Sequence, residues 1–259
     1  GRPMTIAWKQ MAAFKWAPKE IAKEVLEDYM NDRTTMMAAS FTEPNSGSDM
    51  LMPYDAPGVA GQVVAKKEGD EWVINGDKMF CPAGGVTNYI TVMVRTDPKG
   101  PISKSMTQFI VDTRKPGWSI NRVNDMMANE PVSNVQMHFE NCRVPDKNRV
   151  SPVNGAFEVG KARLAGKSLH LFAHMGWAER EWENMRDYAK ARIQGGVPII
   201  QHNNVGMLIA ETDCMLRNLR LQLYHDAWVW DQSGKGQMKD VLGWYYINWY
   251  SKRVLLRII

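Results

Sequence analysis

The sequence predicts an α+β protein: a short helical lead-in, an all-β segment, then a long helical segment. Three observations carry that prediction. Residues 18 to 32 hold helix-start signals and an apolar stripe. Between residues 36 and 150, short runs rich in β-branched and aromatic residues alternate with turn signals. From Gly155 onward, apolar residues recur at helical spacing with few breakers. The divisions fall at 1–35, 36–150 and 151–259.

In the first helix Pro18 suits the opening turn, and Glu20 and Glu24 lie near the positive end of the helix dipole. Ile21, Val25 and Leu26 form its apolar stripe. The β segment offers Gly61–Ala65, Trp72–Asn75, Tyr89–Arg95, Gln108–Asp112 and Val135–Phe139 as strands. Asn75-Gly76-Asp77 reads as a turn between two of them. Pro101, Pro116 and Pro131 punctuate the rest, and the whole is expected to close into a small barrel or sandwich. The helical segment reads as Phe157–Ala191, a stop at Gly195-Gly196-Val197-Pro198, and Val205–Trp230 with Leu208, Ile209, Met215, Leu216 and Leu219 inward. Ser233-Gly234-Lys235-Gly236 ends that helix, and Trp244–Leu256 reads as a third. A helical bundle is the expected form.

Composition narrows the function classes. The net charge is +4, from 32 Lys and Arg against 28 Asp and Glu, and the basic residues are scattered. No Lys/Arg block marks a nucleic-acid partner. Cys81, Cys142 and Cys214 are odd in number and form no CxxC, so a disulfide framework or zinc site is not expected and a reducing compartment is. No apolar run reaches membrane-spanning length. His170 and His174 sit four apart on a helix without a third ligand at suitable spacing, which favours packing over a metal. Ten Trp and eighteen Met serve either the core or a surface for a flat ring and a long flexible ligand.

The specific signal is Phe41-Thr42-Glu43-Pro44-Asn45-Ser46-Gly47-Ser48-Asp49. Taken alone it is equally a capped surface turn. It closely resembles the TEPxxGSD signature of the acyl-CoA dehydrogenases. Val73–Phe80 is similar to that family's NGxKxW strand, Phe139–Pro145 to its FEDVRVP exit, and Arg192–Ile199 to its RxxFGxPI turn. The four segments are colinear. The fold implied is a central β-barrel or sandwich domain followed by a C-terminal helical bundle, with the N-terminal helical domain mostly missing from residues 1–35. The spacing between Pro145 and Gly176 resembles the branch of large multidomain members.

The resemblance implies FAD as cofactor, an acyl-CoA thioester as substrate, an electron-transfer flavoprotein as acceptor and a homodimer or homotetramer. It implies a cytoplasmic protein, or a mitochondrial-matrix one if eukaryotic. A flavin needs a tight, hydroxyl-bearing, Gly-rich loop whose amides can meet ring and phosphate oxygens. Phe41 and Thr42 would lie along the ring, and Ser48 near the pyrophosphate and pantetheine. Phe80, Cys81 and Pro82 match the ring-contacting tripeptide, although they would also serve as the core at a strand end. Pro82 departs from the family's Thr or Ser, having neither hydroxyl nor amide hydrogen. Arg192 and Gln194 match positions that reach the FAD of a neighbouring subunit, and Arg suits a pyrophosphate by its fork of donors. His202 and Asn203 match the family's His-Gln pair; Asn203 is also a sound helix cap. Gly176-Trp177-Ala178-Glu179-Arg180 resembles GxAxR, which places Lys167 where most members carry an Arg near the acyl-CoA.

The family's base removes the α-proton of the thioester. Gly166 stands at its minority position, and its commoner position lies in a later glycine-rich region that residues 1–259 do not contain. Glu158, Glu179 and Glu183 are the nearby carboxylates, and none matches a catalytic position. The catalytic base is therefore unassigned, and residues 1–259 are not expected to catalyse α,β-dehydrogenation by themselves. A piece of a longer enzyme is the expected explanation. A base-less FAD- or CoA-binding subunit of a heteromer and an acyl-CoA oxidase are the alternatives.

Overall fold

The structure, a computed structural model, describes residues 17–51, 55–126, 133–157, 169–232, 250 and 253–254. It divides into two compact units, one holding the described residues up to 157 and the other those from 169 on.

The first unit opens with α1 (Lys19–Asn31), whose first turn starts from Pro18. A proline suits that end because its missing N–H would have no partner there. Ile21 and Val25 are buried with Met37, Tyr89, Ile110 and Val150 and dock the helix onto the sheet, while Leu26 of the expected stripe is corrected to the exposed face. Seven strands follow: β1 (Met37–Ser40), β2 (Val64–Glu68), β3 (Glu71–Pro82), β4 (Tyr89–Arg95), β5 (Met106–Asp112), β6 (Trp118–Asn124) and β7 (Asn134–Pro145). The sheet order is β1-β4-β2-β3-β7-β6, with β5 pairing β4. β1 runs parallel to β4 and β5 antiparallel to it. The single pair Val64–Arg95 joins this half to the β2-β3-β7-β6 half. The sheet curls into a half-barrel around Ala38, Val63, Trp72, Ile74, Ile90, Val92, Phe109, Val135, Met137 and Phe139. Tyr89–Arg95 is buried along its full length, as expected for a run of apolar residues covered on both faces.

The expected turn at Asn75-Gly76-Asp77 is corrected: these residues lie inside β3. The chain reverses instead at Gly69-Asp70, between the paired residues Glu68 and Glu71. Asn75 and Gly76 face a bulge, where β7 inserts one extra residue between Cys142 and Phe139. Gly76 has φ +127°, and a Cβ there would stand 3.1 Å from Val63 Cα. Its glycine therefore serves a close strand approach rather than a hairpin.

The second unit pairs α2 (Leu169–Ala191) with α3 (Asn203–Gln232). Leu171, Met175, Ala178, Leu216, Leu219, Leu223 and Val254 form its core. Trp182 Nε1 donates to Ile209 O at 3.2 Å, and Glu179 pairs with Arg220 across the helices. Between the helices, β8 (Ile193–Gln194) and β9 (Val197–Pro198) form a hairpin around Gly195 and Gly196, at φ +64° and +83°. Two successive positive φ values are what a tight two-residue hairpin demands. Leu208 is corrected to the outward face, while Ile209, Leu216 and Leu219 point inward. The expected stop at Ser233–Gly236 and most of Trp244–Leu256 lie outside the described residues. Among the described residues, no helix is long and apolar enough to cross a membrane.

Candidate functional site

The segment after β1 forms a loop whose residues divide their labour. Glu43 and Ser46 bond each other's backbone at 2.8 and 3.2 Å, closing a tight turn over Pro44-Asn45. Asp49 accepts from Gly47 N at 2.5 Å and from the Ser46 hydroxyl at 3.2 Å. Gly61 N donates to that same hydroxyl at 2.9 Å. Glu43, Ser46 and Asp49 are thus consumed by the loop's own shape. The hydroxyls of Thr42 and Ser48 bond no other residue among the described ones, and Ser48 is exposed at the start of a single 3-10 turn, Ser48–Leu51. Phe41 is half-buried against Met50, Ala60, Met93 and Met106.

β3 is tied to this loop by an ion pair inside the protein. Lys78 Nζ lies 2.6 Å from Glu43 Oε1, and the two side chains are 0% and 2% exposed. Lys78 also donates to Phe41 O at 3.0 Å, and Met79 N donates to Thr42 O at 2.8 Å. The second oxygen of Glu43 accepts from the amides of Gln62 and Val63. Burial pushes the Lys78 ammonium down, while Glu43 beside it holds the proton on. Removing one member of such a pair strands a buried charge, which typically costs about 3–5 kcal/mol.

One step past Lys78, β3 holds a second irregularity. Lys78 faces Met137 and Cys81 faces Val135, so Met79 and Phe80 together oppose one residue of β7. That bulge puts Phe80 at φ +53° and leaves it 50% exposed. A left-handed backbone costs a bulky residue about 1–2 kcal/mol, so its persistence marks a position worth a function. Cys81 turns inward, its thiol directed at Ala39 O, and burial pushes it up to about 12. Anything Cys81 gives a ligand must come from its backbone. Pro82 is exposed and ends the strand opposite Asn134.

Residues 41–43 are thus fastened to Lys78 and Met79, just ahead of residues 80–82, and the signal sequence reasoning left unused is the Glu43–Lys78 pair. The remaining candidates sit in the second unit. Arg192 is exposed beside the β8–β9 hairpin, and no described residue pairs with its guanidinium. The backbone of Arg192 is fixed by Tyr188 O and Ile199 N, each bond 2.8 Å long. The Gln194 side chain is exposed, and its backbone oxygen lies 3.0 Å from His202 Nε2, so the His202 ring braces the hairpin. The expected Asn203 cap is corrected: Asn203 is the first residue of α3, and His202 O takes the amides of Val205 and Gly206. That leaves the exposed Asn203 side chain with no partner among the described residues. Lys167, Gly166 and Glu158 lie outside the described residues. Glu179 and Glu183 are in ion pairs with Arg220 and Arg180. Among the described residues no His, Cys, Asp and Glu cluster could hold a metal.

The first unit is a curled sheet carrying a hydroxyl-bearing turn, and the second is helical. Residues 38–142 match the acyl-CoA dehydrogenase middle domain, and residues 157–248 match the acyl-CoA dehydrogenase C-terminal domain. The chain belongs to the acyl-CoA dehydrogenase family. It is 30% identical over 194 residues to the short-chain-specific acyl-CoA dehydrogenase of Clostridium acetobutylicum, covering 74% of this chain and 48% of that one. It is 32% identical over 205 residues to the (R)-benzylsuccinyl-CoA dehydrogenase of Thauera aromatica, covering 78% of this chain and 47% of the other. The solved butyryl-CoA dehydrogenase of Megasphaera elsdenii superposes with a TM-score of 0.81 at 23% identity, over 95% of this chain and 61% of that one. The chain spans about half the length of the curated relatives it matches.

Proposed function

We propose that the chain is the FAD- and acyl-CoA-binding part of a dehydrogenase that oxidises an acyl-CoA thioester between its α and β carbons. The observation that carries this reading is the clamped loop of residues 42–48, fastened through Thr42 O to Met79 beside the half-exposed Phe80, with the Thr42 and Ser48 hydroxyls bonding no other described residue. Bound FAD would supply the hydride acceptor. The residues present fit it. Phe80 offers an aromatic face for a flat ring, and Thr42 a hydroxyl for the ring's polar edge. Ser48 offers a hydroxyl to a phosphate or a pantetheine amide. Arg192 and Gln194 offer unpaired donors to a pyrophosphate, and we place them on the FAD of a second subunit. His202 holds their hairpin, and the free Asn203 side chain is available to the same cofactor. Lys167 is proposed near the thioester, and Cys81 and Pro82 would meet the ring through their backbone and pyrrolidine.

A homodimer or dimer of dimers fits the outer faces of the helices, where Trp177, Tyr188, Met207, Leu221, Tyr224 and Trp228 are exposed. An electron-transfer flavoprotein is the proposed acceptor. No base is assigned: Glu179 and Glu183 are held in ion pairs. A base-less cofactor-binding subunit is the second reading, favoured by Pro82, which has no donor to offer the ring.

The test is flavin bleaching by a panel of acyl-CoA thioesters, under argon and then in air. The 259-residue chain is expected to bind FAD and not to bleach rapidly. Fast bleaching by this chain alone would place a base within residues 1–259, and its glutamates would then be the candidates. The intact enzyme is expected to bleach under argon and recolour slowly in air. Fast recolouring would make it an oxidase, and bound flavin that never bleaches would make it the base-less subunit.

A further inference from the structure

The Lys78–Glu43 pair is closed off from solvent, yet it fastens three backbone groups. Lys78 holds Phe41 O, Glu43 holds the amides of Gln62 and Val63, and the adjoining residues bring together Met79 N and Thr42 O. The segment that receives Glu43 is itself held from behind. Arg95, 3% exposed, donates through Nε to Gly61 O at 2.8 Å and through its terminal nitrogens to Val59 O, Ala60 O, Gly100 O and Ser105 Oγ. Its partners among the described residues are carbonyls and a hydroxyl. Residues 59–63 are therefore a seat, gripped by Arg95 through their carbonyls and by Glu43 and Ser46 through their amides.

We propose that Lys78 and Glu43 are positioning residues for the cofactor loop, locking Phe41, Thr42 and Phe80 into one rigid edge before any ligand arrives. This inference rests on the reading that the loop binds FAD. Apolar residues of similar volume would fill the same space at little cost from the lost ion pair itself, because a buried ion pair contributes little net stability over good packing. They would not direct hydrogen bonds at particular backbone groups. What the pair contributes is orientation, and its removal should appear in loop mobility and cofactor affinity rather than in folding.

The experiment uses the double variant Glu43→Gln/Lys78→Met, which leaves no stranded charge, beside Lys78→Met alone and Lys78→Arg. Three quantities are measured: the urea midpoint, amide hydrogen exchange of residues 41–50 without ligand, and the dissociation constant for FAD. For the double variant the expected result is a near-native urea midpoint, at least tenfold faster exchange in the loop and at least tenfold weaker FAD binding. Lys78→Arg should recover part of both losses. Native exchange rates and FAD affinity within twofold of the parent in the folded double variant would overturn the proposal and leave the FAD reading standing. Faster loop exchange with unchanged FAD affinity would also overturn it, since the clamp would then not serve the cofactor. A parent chain that binds no FAD would refute the functional reading itself, and the cofactor role of the pair with it.

Discussion

At the scale of single residues, burial decides which groups can act. Cys81 and Cys142 are enclosed, and burial pushes their thiols up to about 12 and about 11. Neither is a thiolate at neutral pH, and neither is reachable. Cys214 is exposed on α3. A disulfide reagent at neutral pH should therefore titrate one thiol rapidly in the folded chain and three after unfolding. Two or more rapid thiols in the folded chain would mean the sheet interior opens readily. Pro82 makes a second residue-scale prediction. Pro82→Thr adds a hydroxyl and an amide hydrogen at an exposed strand end. If Pro82 meets the ring, the variant's bound flavin should show a shifted absorption band and reduction potential. An unchanged spectrum and potential would remove Pro82 from the site.

At the scale of elements, the two β3 bulges show what could be read from the sequence and what could not. The strand runs at 72–75, 89–95, 108–112 and 135–139 and the Gly195-Gly196 turn were legible, because apolar periodicity and paired glycines act locally, whereas the run at 61–65 starts three residues before its strand and the strands at 37–40 and 118–124 were not marked. Asn75-Gly76 looked like a turn because local chemistry allows one there, whereas the structure uses the glycine for a contact with Val63, twelve or more residues away in sequence. Long-range approach leaves no local mark. The same limit hid the Glu43–Lys78 pair, whose members stand 35 residues apart. Leu208 was assigned inward on spacing alone, but the face that α2 covers is set by Leu216, Leu219 and Leu223. Gly76→Ala should destabilise the protein by about 2–4 kcal/mol, since alanine at φ +127° is strained and its Cβ would press on Val63 backbone. Equilibrium urea unfolding measures it, and a loss under about 0.5 kcal/mol would contradict the close approach.

At the scale of the molecule, the candidate residues fall in two units. The loop and Phe80 belong to the curled sheet, and Arg192, Gln194, His202 and Asn203 to the helical unit. The proposed assembly assigns the second set to a neighbouring copy. The Arg192 guanidinium is exposed and pairs with no described residue, so Arg192→Ala should change folding stability by less than about 0.5 kcal/mol. Its loss as a charged donor should weaken FAD binding roughly tenfold or more. Equal losses in stability and affinity, or no loss in either, would make Arg192 an ordinary surface residue.

Cofactor uptake by the chain itself tests the central claim most directly. The ligand-free 259-residue chain would be titrated with FAD while flavin fluorescence and the visible spectrum are followed. Saturable uptake of one FAD per chain, with a yellow protein after gel filtration, is the expected result. A folded, monodisperse chain that stays colourless at every FAD concentration would contradict the assignment of residues 41–48 and Phe80 as a flavin site.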